Sequence, residues 1–175
     1  MLQHLVDEPA VDRLADCGLR PRVLNATNGS AASQCATAAA AVIANERDAE
    51  LIVVHVRPPE VMRVGRMAPT IVHNVRLGDP HSSGVLSAAR QVAWGNGTFA
   101  RVILMSGDPV TAIVSLANEL AVEIIVIGAS RSRVPAVLSA RTRCRIQRAA
   151  SCPVRIITLP LSGSTRGSLD VVPAA

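Results

Sequence analysis

Five short runs of β-branched and other apolar residues recur along the chain, and most of them are apolar almost continuously. They are Arg22 to Ala26, Leu51 to Val56, Ala100 to Met105, Glu123 to Ile127 and Val154 to Thr158. A continuous apolar run, unlike an alternating one, is typical of a strand covered on both faces. The pattern therefore predicts five buried strands.

Segments with helical periodicity lie between these strands. The best defined begins at Asp108, which can cap a helix, and Pro109, which suits the first helical position. Strands that alternate with helices of this length require right-handed crossovers and a mainly parallel sheet. The predicted fold class is α/β, doubly wound, with helices on both faces. The predicted helices cover about Ser33 to Arg47, Gly84 to Trp94, Pro109 to Ala121 and Ala140 to Ala150.

One domain is expected from 175 residues with a core made of Val, Ile, Leu and Ala. We assign it to residues 21–159, with an N-terminal extension at 1–20 and a C-terminal tail at 160–175 that is rich in Pro, Ser and Gly. Residues Arg57 to Ser83 interrupt the alternation and contain four prolines. So long a connection is usually either functional or mobile, and the sequence leaves both open.

The charge is basic and unevenly distributed. All 18 basic residues are Arg, against 13 acidic residues. No acidic residue lies between Glu123 and Asp170, a stretch that favours an anionic ligand or partner, although a solvated basic face is the plainer interpretation. Its arginines are Arg131, Arg133, Arg141, Arg143, Arg145, Arg148, Arg155 and Arg166.

Several classes of protein are disfavoured by what the sequence lacks. The four cysteines show no C-x-x-C spacing and the four histidines are scattered, so no metal site is predicted and the thiols suit a reducing, cytoplasmic location. No apolar run approaches 18 residues, so no membrane span is expected. The chain has no Lys for a P-loop and no G-x-G-x-x-G. With one Phe and no Tyr, stacking on nucleic acid is poorly supported.

Single residues that could carry chemistry have plainer structural interpretations. Ser30 and Asp108 are predicted helix caps, not a nucleophile and a base, because no G-x-S-x-G elbow surrounds Ser30. His55 is predicted to be a hydrogen-bonded residue near the end of the second strand, with a ligand contact as the alternative. We therefore expect no enzymatic activity.

Four motifs in order give the chain its resemblance to a known family. Asn28-Gly29-Ser30 follows the first strand, His55-Val56 ends the second, Gly107-Asp108-Pro109 starts a helix, and Cys152-Pro153-Val154 enters the last strand. The chain thus resembles a single-domain universal stress protein of the UspA type over residues 21–159. The resemblance implies a five-stranded sheet of order 3-2-1-4-5 and a homodimer paired through the last strand, Val154 to Thr158.

The resemblance also implies where a nucleotide would bind. ATP in nucleotide-binding members lies where the first and fourth strands diverge, which agrees with the general rule for doubly wound sheets. Here that crevice would be lined by Ala26, Asn28, Gly29, Val56, Ile127 and Gly128.

The chain departs from the family's ATP signature, G-x2-G-x9-G-(S/T). Gly128 matches the first glycine, but Arg131 stands at the second, and Arg141-Thr142 or, with a one-residue deletion, Ala140-Arg141 at the third. Asn28 replaces an Asp. Since such glycines let main-chain N–H groups approach phosphate, the leading interpretation is a stress-response protein that has lost ordinary ATP binding. The alternative is a sensor that binds ATP or a related nucleotide through these arginines.

Overall fold

The computed structural model describes residues 20–57, 60–62, 70–72, 79–129 and 140–159. The predicted N-terminal extension and C-terminal tail lie outside them, apart from Arg20. In chain order the elements are β1 (Arg22–Thr27), α1 (Ala31–Glu46), β2 (Glu50–Arg57), β3 (Glu60–Met62), β4 (Thr70–Val72), α2 (Pro80–Gly95), β5 (Ala100–Ser106), α3 (Pro109–Glu119), β6 (Ile124–Ala129), α4 (Ala140–Ala149) and β7 (Val154–Thr158).

The central sheet has five strands in the order β5-β2-β1-β6-β7, and every neighbouring pair is parallel. Numbered along the chain among themselves, these strands are third, second, first, fourth and fifth. The predicted order 3-2-1-4-5 and the doubly wound α/β class are therefore confirmed. All five predicted strands form, with boundaries shifted by at most two residues.

Side chains of the central strands pack on both faces of the sheet, which explains why their sequences are apolar without alternation. One face packs against α1 and α2, and its centre is formed by Val23, Leu51 and Val126. The other face packs against α3 and α4. The buried positions of α1 that contact the sheet are mainly alanines, so this helix can lie close to the strands.

The segment between β2 and α2 differs from the prediction. Instead of an irregular connection to about residue 83, it contains β3 and β4, which pair antiparallel with Val61 opposite Ile71. Helix α2 begins at Pro80, four residues before the predicted start at Gly84. Asp79 caps it by accepting hydrogen bonds from the N–H groups of His81 and Ser82 at 3.2 and 3.3 Å. The sequence Gly-Asp-Pro, which correctly predicts the start of α3, also occurs at residues 78–80 and marks the start of α2 in the same way.

Candidate functional site

The crevice predicted to bind a ligand lies at the carboxyl ends of β1 and β6. These two strands are neighbours in the sheet, with Ala26 paired to Ile127. Helix α1 follows β1 onto one face, whereas α4 follows β6 and packs with α3 on the other. The chain therefore diverges here, at the position where open α/β sheets bind ligands.

The turn between β1 and α1 uses its own side chains to satisfy its main-chain N–H groups. The Gly29 N–H donates to Thr27 Oγ1 at 3.3 Å, and the Ser30 N–H donates to Asn28 Oδ1 at 3.0 Å. The Ser33 N–H donates to Ser30 Oγ at 3.3 Å, so Ser30 is the predicted helix cap. Three main-chain N–H groups at this turn are therefore already hydrogen-bonded to side chains of the turn itself.

At Gly128 the main chain of β6 packs closely against the first turn of α1. A Cβ at this position would lie 2.6 Å from the carbonyl carbon of Ala32 and 2.7 Å from the nitrogen of Ser33, both in the first turn of α1. Contacts this short are with main-chain atoms that cannot rotate away. Only glycine therefore lets β6 and α1 approach to this distance, a role known for one glycine of dinucleotide-binding turns.

The floor of the crevice is closed in the described part of the chain. Ala26, Val56 and Ile127 are buried, so their side chains belong to the core beneath the site. The cavity there has a volume of about 10 Å³, enough for at most one water molecule. It is lined by Ala26, Thr27, Asn28, Val54, Val56, Pro109 and Ile113.

The predicted basic residues of the site are only partly described. Arg141 is exposed and Thr142 is half-buried, both in the first turn of α4. One turn further, Arg145 Nη1 lies 3.9 Å from Asp108 Oδ1, so α4 passes the start of α3. Arg131 lies outside the described residues. Asp108 caps α3, as predicted. Its carboxylate accepts a hydrogen bond from the Thr111 N–H, and this bond is the main reason why the pKa of the carboxyl is lowered.

A second cluster of polar side chains lies at the end of β2, beside the predicted crevice. His55 is buried and its Nδ1 lies 2.9 Å from the carbonyl oxygen of Thr27, so this nitrogen carries the proton. This confirms the hydrogen-bonded role predicted for His55. Its ring meets that of His81 edge to face, with centroids 6.4 Å apart. Nearby, the hydroxyl of Ser82 donates to Asp79 and is the main reason why the pKa of that carboxyl is lowered.

Neither a metal cluster nor a membrane span is found in the parts of the chain described above. Across those ranges, no three His, Cys, Asp or Glu side chains are grouped so that they could hold a metal ion. None of the helices in the same ranges has the length and apolar character needed to cross a membrane.

The strand order and the helices on both faces define a doubly wound α/β domain, with the crevice at the switch point between β1 and β6. The sequence profile described as the Universal stress protein family matches residues 20–158. The chain therefore belongs to the universal stress protein family. No curated protein sequence matches it significantly.

Solved structures of the same family share this fold at low sequence identity. One is a universal stress protein in complex with cAMP, 21% identical, covering 79% of this chain and 97% of its own, with a TM-score of 0.60. Another is the Archaeoglobus fulgidus protein in complex with dAMP, 21% identical over 79% and 98%, with a TM-score of 0.59. A third, from Burkholderia pseudomallei, is 23% identical over 80% and 96%, with a TM-score of 0.57.

Proposed function

We propose that this chain is a non-enzymatic universal stress protein with a regulatory or protective role in the stress response, and that its nucleotide site is degenerate. It acts in the cytoplasm through a protein partner and does not bind ATP in the ordinary way. The stress-related role rests on membership of the family.

The observation that carries this proposal is that main-chain N–H groups at the turn between β1 and α1 already have side-chain acceptors within that turn. A phosphate is bound at such a turn by main-chain N–H groups that have no other acceptor. Here Thr27, Asn28 and Ser30 supply acceptors for three of these groups. A nucleotide would have to displace those hydrogen bonds, and would gain correspondingly less from binding.

The environment of Gly128 supports the same conclusion. Of the three glycine positions in the family's ATP signature, this is the one that the chain retains. Its glycine is needed for contact with Ala32, whether or not a ligand is present. The retained glycine is therefore explained by packing, and gives no support for phosphate binding.

The alternative function is a nucleotide-responsive module that uses Arg side chains in place of the missing main-chain donors. Two structures of similar fold hold cAMP and dAMP, so the fold is compatible with small adenine nucleotides. The exposed Arg141 at the start of α4 is available for an anion. A guanidinium can bind phosphate with two parallel hydrogen bonds.

A thermal unfolding titration of nucleotide-free protein separates the two functions. The ligands are Mg-ATP, AMP and cAMP, each raised to millimolar concentration. A ligand at a hundred times its dissociation constant stabilises the native state by about 2.7 kcal/mol. We expect no saturating shift with any of them, and a saturating shift would replace the proposal by the alternative.

The variant Arg131→Gly refines this experiment because it restores the second glycine of the signature. If the site is degenerate, the variant should gain some stabilisation by Mg-ATP where the parent has none. If the arginine has been recruited for binding, the variant should instead lose a shift that the parent shows. Arg148→Gly, on a described helix and outside the signature, is the matched control for removing one positive charge.

We propose in addition that the protein is a homodimer paired through β7. This strand lies at the edge of the sheet, and Ile156 and Ile157 are only half-buried. The Leu159 N–H donates to the carbonyl oxygen of Ala129 in β6 at 3.2 Å. Because successive N–H groups of a strand point in opposite directions, the Ile157 N–H points toward β6 and the Ile156 N–H points away from it.

Ile156→Pro tests this interface and leaves the ladder to β6 in place. The substitution removes an outward N–H, so the mass measured by light scattering at low concentration should fall from dimer to monomer. Ile156→Ala retains the N–H and is the control. A mass that stays unchanged in the proline variant would count against pairing through β7.

A further inference from the structure

The only Trp and the only Phe of the chain stand together on the surface. The ring centroids of Trp94 and Phe99 are 4.6 Å apart and the rings meet at 69°, a T-shaped contact. Trp94 is 62% exposed and Phe99 is 79% exposed. Aromatic rings contribute most to stability when they are covered, so two adjacent exposed rings indicate a surface that receives another group.

A groove runs beside these two rings, and we call it the aromatic groove. It encloses about 470 Å³ and its other lining residues are Ser87, Arg90, Gln91, Gly95, Thr98 and Ala100. Arg90 is exposed, and within the described ranges it forms no ion pair. The hydroxyl of Thr98 is already hydrogen-bonded to Ala41 at 3.2 Å and to Asn45. The groove therefore offers aromatic surface and one unneutralised positive charge.

The aromatic groove lies beside the start of β5, at the amino ends of the strands. The chain enters β1 at the same end of the sheet. Phe99 directly precedes β5, and β5 is separated from β1 only by β2. The carbonyl oxygen of Pro21 accepts a hydrogen bond from the Glu50 N–H at 2.8 Å, which fixes the entry to β1 beside the start of β2. With about 4.8 Å between neighbouring strands, the distance from β1 to β5 is about 10 Å. Three or four extended residues span that distance.

Residues 1–19 precede this entry point and have the composition that the groove requires. They carry four of the chain's 13 acidic residues and a single Arg, whereas the remainder of the chain is strongly basic. Apolar residues are spread among the acidic ones. The acidic residues are Asp7, Glu8, Asp12 and Asp16, and the larger apolar ones are Met1, Leu2, Leu5, Val6, Val11, Leu14 and Leu19.

We propose that residues 1–19 of the same chain occupy the aromatic groove. Their apolar side chains cover Trp94 and Phe99, and their carboxylates neutralise Arg90. Length, point of attachment and charge all favour this occupant. A second copy of the chain fits less well, because a two-fold contact at the groove would bring two Arg90 side chains together with no acid among the lining residues.

The test uses the full chain and the fluorescence of its single Trp. In the parent protein we expect Trp94 to resist quenching by acrylamide and to emit at a shorter wavelength than a free indole. In the variant Asp7→Asn/Glu8→Gln/Asp12→Asn/Asp16→Asn the protection should be lost and the emission should move to longer wavelength. Glu119→Gln, which removes an exposed charge from α3, is the matched control and should behave like the parent.

A double-mutant cycle with Arg90→Gln tests the charge contact itself. Arg90→Gln should weaken the protection of Trp94 in the parent background and have little further effect once the four acids are neutralised. Equal quenching of parent and quadruple variant would overturn the proposal. Protection that depends on protein concentration would also overturn it, because the occupant would then be a second copy.

Discussion

The hydroxyl of Thr37 in α1 lies 2.7 Å from Oδ1 of Asn25 in β1, with both side chains fully buried. Asn25 also donates through Nδ2 to the carbonyl oxygen of Val126 at 3.0 Å. A single amide thus joins α1, β1 and β6 directly beneath the candidate crevice.

Asn25→Ala should destabilise the protein by about 1–3 kcal/mol, because the carbonyl oxygen of Val126 would lose a donor inside the core. The hydroxyl of Thr37 would keep the carbonyl oxygen of Ser33 as an acceptor at 2.9 Å. Urea unfolding measures this loss. Thr37→Val should cost less, since it leaves Asn25 bonded to Val126. The double variant should cost less than the sum of the two single variants, and strict additivity would contradict the linked arrangement.

Gly128→Ala should destabilise the protein by about 3 kcal/mol or more, because a methyl group would overlap the main chain of α1. The matched control is Gly84→Ala in α2, where a Cβ would meet nothing within 4 Å. That variant should raise the free energy of unfolding by about 0.5–1 kcal/mol, since Ala suits a helix interior better than Gly. If Gly128→Ala unfolds at the same urea concentration as the parent, the close approach of β6 to α1 is wrong.

The Asp108 cap of α3 should make the free energy of unfolding depend on pH. The N–H of Thr111 lowers the pKa of Asp108 below 3.8, so the cap stabilises the native state fully above that value and loses its contribution as pH falls through the lower, native pKa. Asp108→Ala should cost about 1 kcal/mol at neutral pH. The difference in urea midpoint between parent and variant should narrow as pH falls to about 2.5.

The matched variant Asp108→Asn keeps an acceptor without the carboxylate. At neutral pH its deficit relative to the parent should be smaller than that of Asp108→Ala, and it should narrow in the same way as pH falls, because the parent loses its carboxylate cap. The difference in urea midpoint between the two variants should not change with pH. A deficit for Asp108→Ala that is the same at both ends of the pH range would show that the carboxylate charge is not what stabilises α3.

The thiols should differ in reactivity. Burial raises the pKa of Cys152, whereas Cys144 is exposed on α4. Because the thiolate is the reactive form, iodoacetamide should modify Cys144 well before Cys152. Mass spectrometry of digests taken over time measures both rates, and the difference should vanish in urea. Faster modification of Cys152 in the native protein would contradict its burial at the entry to β7.

Much of the fold was predictable because its signals are local. The apolar runs of β1, β2, β5, β6 and β7 are long enough to be recognised singly, and Asp108-Pro109 marks the start of α3. The Asp-Pro pair at residues 79–80 is an equally local signal, and α2 begins there and not at the predicted Gly84. The short strands β3 and β4 could not be predicted in the same way, since three residues carry no measurable periodicity.

The candidate site was predictable only in its location. Asn28, Gly29 and Gly128 could be assigned to the crevice through the resemblance to universal stress proteins, which implied the order of the strands and therefore the switch point. The sequence did not reveal that Asn28 is bonded to Ser30, or that Gly128 contacts Ala32. Asn25 is the one amide in the apolar strand β1, and its hydrogen-bond partners lie 12 and 101 residues away along the chain.

The sequence by itself determined the five strands of the main sheet and the helices between them, because hydrophobic period and turn chemistry act between residues close in the chain. Its motifs also carried the resemblance to the family, which in turn implied the order of the strands. Only the tertiary structure decided what the retained glycine does, which N–H groups remain available to an anion, and that the single Trp and the single Phe meet on the surface. The role of Gly128 depends on its distance from Ala32, a residue far away in the sequence, and that distance is set by how β6 and α1 pack together. The other two properties depend on the exact conformation of short loops, which a pattern of residue types does not specify.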